Sequence, residues 1–297
     1  MNKSGLRPMK GEKIWIWIFL APTIFGLLFG TLGPVLGAIG ISFTDWDVIT
    51  PPIFAGLDNY KKLVDDPTFS KALVNTLYYV GVMVPVSTVL SLFFAFLLNQ
   101  KLRGVTWYRT AYFLPVVSST VAVALVWSWI YAKDFGLLNF MLRQIGVEPV
   151  GWLSSTTWAM PAVIMMAIWG NLGAGIIIFL AGLQAIPESY YEAASIDGAN
   201  RINKFFRITI PLITPSLFFY FIITMISAFQ AFEAIYVMTR GGPVNSTTTM
   251  VYYIYRNGFR NFKMGYASSQ AIVLFLVIMV LTLIYWRLQD RWVMYDA

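Results

Sequence analysis

Glu233 is the one Asp, Glu, Lys or Arg inside a long apolar stretch running from Ile208 to Thr239. A charge at membrane depth costs about 3 kcal/mol on insertion scales unless it faces water or a partner, so it is a functional candidate by default. It lies six residues before Thr239, about 9 Å along a helix. An interfacial carboxylate that snorkels to the surface is therefore an equally open reading. Gln230 precedes it by about one helical turn and shares its face, and Phe229, Phe232 and Tyr236 surround the pair with rings. Such a set suits a polyhydroxylated ligand, whose hydroxyls need hydrogen-bond partners and whose apolar ring faces need a stacking surface. The bland alternative is that each ring fills a helix contact. A second polar point is Asn171, in Trp169-Gly170-Asn171 ahead of Gly173 and Gly175. Backbone there can approach a ligand or a neighbouring helix, and Asn171 either binds a ligand or bonds across helices.

Other chemistry is excluded. The 297 residues contain no Cys and no His, which removes thiol nucleophiles, disulfides, imidazole bases and the commonest zinc ligands. A membrane-embedded enzyme needs a nucleophile, base or metal cluster at one depth, and one intramembrane carboxylate does not make one. No Gly-x-x-x-x-Gly-Lys-[Ser/Thr] loop occurs, and the glycines after Gly170 lack the strand and turn of a dinucleotide fingerprint. The chain therefore carries no ATP site of that kind and implies no cofactor or metal of its own. Asn245-Ser246-Thr247 matches a glycosylation acceptor pattern that is common by chance and carries no weight.

The elements that must hold these residues are membrane helices. Hydrophobic residues make up 58% of the chain and charged ones 12%, against about 25% charged in soluble domains. Six apolar stretches are predicted spans, at about 14–43, 72–100, 110–132, 158–183, 208–239 and 264–286. Each exceeds the roughly 20 residues a helix needs to cross the hydrocarbon core, and none alternates like a barrel strand. The fold class is all-α membrane protein in one domain over 1–297, with no internal repeat and no low-complexity tract. Lys3, Arg7, Lys10 and Lys13 flank the first span and hold it to the cytoplasmic side. Six spans then put both termini in the cytoplasm. The net charge of +7 invites a nucleic-acid or anionic-lipid reading, but the basic residues are scattered over short loops, and inside-positive topology explains most of the excess. Prolines and glycines within the spans, Pro22, Gly30, Pro34, Pro85, Pro115 and Pro161 among them, predict kinks and close packing; broken helices lining a pathway are the alternative.

The loop over 184–207 reads as structured. Pro187-Glu188 suits a helix start, Ser189 to Ile196 an amphipathic helix, Gly198 a hinge, and Ala199 to Ile208 a second short helix ended at Pro211.

Glu192-Ala193-Ala194, three residues, Gly198, nine residues and Ile208-Thr209-Ile210-Pro211 resemble the Glu-Ala-Ala signature of the inner-membrane permeases of binding-protein-dependent ABC importers. Ile210 stands where that signature has Leu. Gly56-Leu57-Asp58-Asn59-Tyr60, Asn75-Thr76, Leu114-Pro115, Ala181-Gly182-Leu183-Gln184, Ile186-Pro187 and Thr239-Arg240-Gly241-Gly242-Pro243 are similar to the carbohydrate branch, which includes maltose and glycerol-3-phosphate permeases. The resemblance implies a type I permease fold in the bacterial inner membrane. It implies a second permease as heterodimer partner, two copies of an ATP-binding subunit that hold ATP and Mg, and an extracytoplasmic sugar-binding protein. Glu192, Ala193, Ala194, Asp197 and Gly198 would form the helix that docks on the ATPase. Gly170, Asn171, Gln230 and Glu233, with Ser119 and Thr120 of the third span, would line the substrate pathway. Mono-, di- and oligosaccharides, polyols and glycerol phosphate all remain open, although the scarcity of cations within the spans disfavours a strongly anionic cargo. An ion-coupled secondary transporter or channel is the competing reading. Such carriers tend to place acids or His deep in the membrane and to show internal repeats.

Overall fold

The computed structural model describes residues 12–100 and 105–294. The cationic flank at Lys3, Arg7 and Lys10, and Lys101 and Arg103 of the second short loop, lie outside the described residues. The chain opens with α1 (Glu12–Leu27), a π-helical turn (Leu28–Leu32) and α2 (Gly33–Ser42). A two-residue strand pair follows, β1 (Thr44–Asp45) antiparallel to β2 (Ile53–Phe54), then α3 (Asp58–Asp65) and α4 (Pro67–Leu98). Next come α5 (Val105–Val117), α6 (Thr120–Ile130), α7 (Leu137–Gln144) and α8 (Ala159–Gln184). The remainder is α9 (Glu188–Ile196), α10 (Arg201–Lys204), a π turn (Phe205–Thr209), α11 (Ile210–Leu212), α12 (Thr214–Phe229), α13 (Glu233–Met238), α14 (Met250–Tyr255), a π turn (Arg256–Arg260) and α15 (Met264–Gln289).

Four unbroken stretches, Trp15–Ser42, α4, α8 and α15, are long and apolar enough to cross a membrane. Two bent pairs complete the set and give six crossings when each is counted as one span. The third and fifth spans are therefore not the continuous helices that hydropathy predicts over 110–132 and 208–239. Residues Thr110–Val117 and Thr120–Ile130 meet at 109°, and Arg201–Leu212 meets α12 at 60°. In the first pair Pro115 lies inside α5 and weakens the turn ahead of it, where its ring crowds a carbonyl that it cannot bond. The helix stops two residues later, and Ser119 takes extended backbone angles, φ −61° and ψ 129°. In the fifth span α12 ends at Phe229, and α13 starts only after Gln230–Phe232.

Pro211 does not end its helix as expected. The turn ahead of it widens, so that the Ile210 amide bonds the Phe205 carbonyl five residues back, and the chain runs on through Leu212. The same device precedes Pro34, where the Gly33 amide bonds the Leu28 carbonyl. A π turn moves the carbonyl that the proline ring would strike, and the helix continues with a local bend.

Helix α8 runs through the core, with α4, α5 and α12 packed around it. Its small residues set the approach: a Cβ on Gly173 would overlap the Tyr112 carbonyl of α5, one on Gly175 Ser91 of α4 and the Tyr220 ring of α12, and one on Gly182 Ser216 of α12. Close backbone contact of this kind is how membrane helices gain van der Waals energy where lipid offers no hydrophobic drive.

The end of the bundle that carries the strand pair is cross-tied by hydrogen bonds. The Asn59 side chain, buried, donates to the Ser42 and Thr44 carbonyls at 3.0 and 2.8 Å, and Tyr60 meets Ser42 at 2.7 Å. The Trp46 carbonyl accepts from the Met264 and Gly265 amides, which seats the strand pair on the first turn of α15. Asp66 caps α4 by accepting from the Thr68 and Phe69 amides. Its other oxygen accepts from the hydroxyls of Tyr253 and Tyr266, the latter at 2.6 Å, joining α14 and α15 to the same point.

Partial burial works against the Asp66 charge, but the bonds from Tyr253, Tyr266 and the two amides outweigh it and hold the carboxyl below its usual range. A depressed folded-state pKa adds stability at neutral pH that is lost as pH falls through that pKa. In detergent, Asp66→Asn is expected to unfold several degrees below wild type at pH 7, and the gap is expected to shrink below about pH 4 as the wild-type carboxylate protonates. A gap that stays constant over that range would show that the charge contributes nothing. Gly265→Val drives a side chain into the Thr44 carbonyl and is expected to cost about 1–3 kcal/mol, as overpacking does, read as a lower unfolding temperature at every pH.

Candidate functional site

The two helix breaks face each other across one cavity of about 450 Å³. The α5–α6 break contributes Pro115, Ser118 and Thr120; α8 contributes Met166, Ala167, Gly170, Asn171 and Ala174; the α12–α13 break contributes Ser227, Gln230, Phe232 and Glu233; and α4 closes the wall with Tyr79 and Met83. Five residues singled out from sequence, Gly170, Asn171, Gln230, Glu233 and Thr120, thus line one space. Ser119 does not: it is the extended residue at the break, and its carbonyl starts α6 by accepting from the Val123 amide. Its neighbour Ser118 lines the cavity instead. The signal for this was a Ser-Ser pair three residues after Pro115, a spacing that marks a kink in membrane helices.

Gln230 and Glu233 converge for a reason other than a shared helical face, since the helix is interrupted between them. Gln230 ends α12 and Glu233 begins α13. The break frees backbone groups, and several find partners: the Gln230 and Ala231 amides bond the Ser227 and Ala228 carbonyls, and buried Thr249 donates to the Ala231 carbonyl at 3.0 Å. Thr249 escapes sequence reasoning because it lies 18 residues away with no periodic relation to the break. Glu233 is exposed to the cavity and, among the described residues, is the sole charged one in its lining. The one ion pair among the described residues is the exposed Lys61–Asp58 contact at 3.1 Å. Asn171 keeps its amide partly engaged, donating to the Ala167 carbonyl at 2.9 Å, while a Cβ on Gly170 would meet no atom within 4 Å. Phe229 is buried in the core, whereas Phe232 faces the cavity and stacks on Tyr236 with centroids 5.4 Å apart.

At the far end of α8, the loop folds as a helix, a glycine turn and a helix. Gly198 adopts φ +75°, a left-handed angle that costs glycine nothing. The Ala199 amide bonds the Ala194 carbonyl and the Gly198 amide the Ser195 carbonyl, a complete Schellman closure of α9. Asn200 then caps α10 by accepting from the Asn203 amide at 2.8 Å. Lys204 donates to Ser195, and Tyr191 meets Thr209 at 3.0 Å, so α9 is fastened to the base of the fifth span. Glu192, Ala193, Asp197 and Gly198 are exposed and Ala194 half-buried. Beside them Ile196, Ile202 and Phe206 stand exposed by 87%, 67% and 64%, an apolar surface rimmed by charge.

Residues 66–295 match the family described as binding-protein-dependent transport system inner membrane component. Over its whole length the chain is 37% identical to the probable ABC transporter permease protein YesP of Bacillus subtilis, covering 96% of it. It is 34% identical to the sn-glycerol-3-phosphate transport system permease protein UgpA of Yersinia pestis, over 82% of each chain. Among solved structures, a bacterial alginate ABC transporter in complex with alginate pentasaccharide-bound periplasmic protein aligns with a TM-score of 0.84 and 26% identity, covering 95% of this chain and 96% of that one. The bent helices, the loop and these relationships agree: the chain belongs to the binding-protein-dependent transport system inner membrane components, as a permease subunit with the type I fold.

Proposed function

We propose that this permease imports a sugar or similar polyol, forming the pathway with a second permease and driven by two copies of an ATP-binding subunit. The observation that carries the reading is the meeting of two helix breaks at a cavity lined by Asn171, Gln230, Glu233, Thr120 and the ring of Phe232. Non-helical backbone at membrane depth is tolerated where it lines a cavity, and amide, carboxylate and hydroxyl groups beside a ring match the two-sided chemistry of a carbohydrate. The names of relatives that carry glycerol phosphate and alginate support the class. Among the described residues, this chain's share of the cavity offers one carboxylate and no cation, which favours uncharged cargo. An extracytoplasmic binding protein would deliver it. ATP and Mg would sit on the partner, with no cofactor in this chain, and the 184–207 loop and both termini would face the cytoplasm.

In this reading α9 is the coupling helix. Glu192 and Asp197 meet basic groups of the ATPase, Ala193 and Ala194 allow close approach, and Gly198 keeps the turn. Closing of the ATPase dimer draws the two coupling helices together. Because α9 is fastened to the base of the fifth span, its displacement reaches α12 through the 60° bend at Ile213 and ends at the Gln230 break. Each nucleotide state must favour a different conformation for the cavity to switch sides.

Reconstituted with its partners in liposomes, the complex is expected to hydrolyse ATP faster when sugar-loaded binding protein is added. Glu192→Lys and Gly198→Asp, the latter forcing a side chain into a left-handed angle, are expected to lose at least about tenfold of that stimulation. Stimulation unchanged in both variants, or uptake that follows an ion gradient and not ATP, would refute the coupling role. In the cavity, Gln230→Ala and Gly170→Val are expected to slow uptake at least about tenfold, as lost polar contacts and blocked space do, measured with radiolabelled sugar under saturating ATP. Wild-type uptake in both would remove this cavity from the pathway.

A further inference from the structure

The cavity lining has two unlike parts. Thr120, Gln230 and Glu233 are exposed. Met83, Met166, Ala167 and Ala228 are buried and apolar, and Tyr79, packed in the same core cluster, brings the one polar side-chain group among them. Tyr79 is 4% exposed. Two tyrosines buried as deeply commit their hydroxyls to the protein, Tyr131 donating to the Ala162 carbonyl at 2.9 Å and Tyr220 to the Asn171 carbonyl at 3.4 Å. Among the described residues the Tyr79 hydroxyl meets no such partner. Hydroxyls sealed from water without a partner belong, among the described residues, to Ser246 and Thr282. That of Tyr79 is not sealed, and the open space it borders is the cavity. One turn outward on α4, Asn75 donates to the Asn245 and Thr248 carbonyls and Thr76 accepts from the Met250 amide, so the turn that carries Tyr79 is held in place. A hydroxyl fixed in an apolar wall, with no protein group to pair with, is positioned for a partner that arrives from the cavity.

We infer that the Tyr79 hydroxyl reads one hydroxyl of the cargo and makes the transporter reject a sugar that lacks it. The inference rests on the sugar-import reading and names a specificity-determining residue on α4, a helix that carries none of the pathway residues predicted from sequence. Before cargo enters, cavity water can pair with the Tyr79 oxygen. A sugar displaces that water and has to replace its bond. Where the sugar brings a hydroxyl, the bond is remade in apolar surroundings. Where it brings a methylene group, the tyrosine oxygen is left unpaired, and a site built to bond a hydroxyl strongly disfavours the analogue without one. At exposed Thr120, Gln230 and Glu233, water re-pairs a group that the sugar leaves without a partner, so a missing hydroxyl there is better tolerated. The buried wall therefore checks for a single hydroxyl, and the exposed part of the lining binds the rest of the molecule with less discrimination.

The test uses the assembled transporter and its binding protein in liposomes. D-glucose, D-galactose, D-xylose, maltose, cellobiose, melibiose and D-mannitol are screened for stimulation of ATP hydrolysis, and the best of them is taken forward with its monodeoxy analogues, one for each hydroxyl. Uptake of each is measured for wild type and for Tyr79→Phe, which removes one oxygen and keeps the ring. The binding protein is the same in both, so its own preferences cancel in the ratio. For one analogue the preference for the parent compound is expected to be at least about tenfold greater in wild type than in Tyr79→Phe, with the ratios for the other analogues unchanged. Tyr79→Phe is expected to unfold at the wild-type temperature or above it, since its hydroxyl has no protein partner to lose. A lower unfolding temperature shows that the hydroxyl serves the fold and overturns the inference. So does uptake that is unchanged throughout, or lowered by one common factor for the parent and every analogue. In each of those cases wild-type ATPase stimulation leaves the import reading standing. A wild type that responds to none of the screened compounds takes down the import reading and the role of Tyr79 together.

Discussion

A bilayer has no water to pair with a stray N–H or C=O, so wherever a helix of this chain breaks, the freed groups must find partners or a wet cavity. The interruptions at Ser118 and at Gln230–Phe232 obey that constraint beside the same cavity. At Ser118 the backbone amide returns to the Pro115 carbonyl and the side chain to the Leu114 carbonyl, while the Ser119 carbonyl starts the next helix. At Gln230–Phe232 two tight turns pair the amides, and Thr249 reaches from the following loop to the Ala231 carbonyl. That loop is itself held by its own threonines, Thr247 donating to the Gly242 carbonyl and Thr248 to the Gly241 carbonyl. Breaks that are satisfied in this way can expose backbone and polar side chains to a central cavity while the outer faces of the helices stay apolar.

Proline has three different outcomes here, and the neighbours decide which. Pro22 and Pro85 sit inside helices that simply continue. Pro34 and Pro211 follow π turns that open the carbonyl spacing and preserve the helix with a bend. Pro115 leads into a full break, where Ser118 and Ser119 offer side-chain and extended-backbone alternatives to the helical ladder. The difference matters for motion transfer. A π turn keeps α10 to α11 a continuous rod joined to α9, whereas the break at Ser118 lets α5 and α6 point in directions 109° apart.

Much of this was legible in the residues and some of it was not. Hydropathy located the long spans to within about five residues, and Pro187, Gly198 and the run between them marked α9 because start and stop signals are local chemistry. The bends escaped, because hydropathy sums composition and carries no direction, and proline is too common in membrane helices for any one to declare a break. Gln230 and Glu233 were paired on helical periodicity, and they do share the cavity, but across an interruption that periodicity does not see. That Ser118 and not Ser119 lines the cavity has the same cause: at a break, which of two adjacent serines faces inward depends on the turn, not on the helix phase. The ties from Thr249 to Ala231 and from Asp66 to Tyr253 and Tyr266 join residues 18 to 200 apart, a distance at which no local pattern operates.

The short stretches that made the family recognisable are mostly clamps, which explains why they speak to architecture and not to cargo. Asn59, in the Gly56 to Tyr60 stretch, bonds the end of the first span and the start of β1. Asn75 donates to the Asn245 and Thr248 carbonyls and Thr76 accepts from the Met250 amide, so Asn75-Thr76 holds the loop that follows Thr239-Arg240-Gly241-Gly242-Pro243. Gly182 sets the contact of α8 with Ser216. Each of these would be required whatever sugar crosses, because each fixes the position of a helix around the cavity and none reaches into it. Apart from Pro115, the lining comes from residues outside those stretches, Asn171, Gln230 and Ser118 among them. Permeases with different cargo can therefore share this frame, and what they select resides in the few side chains around the cavity.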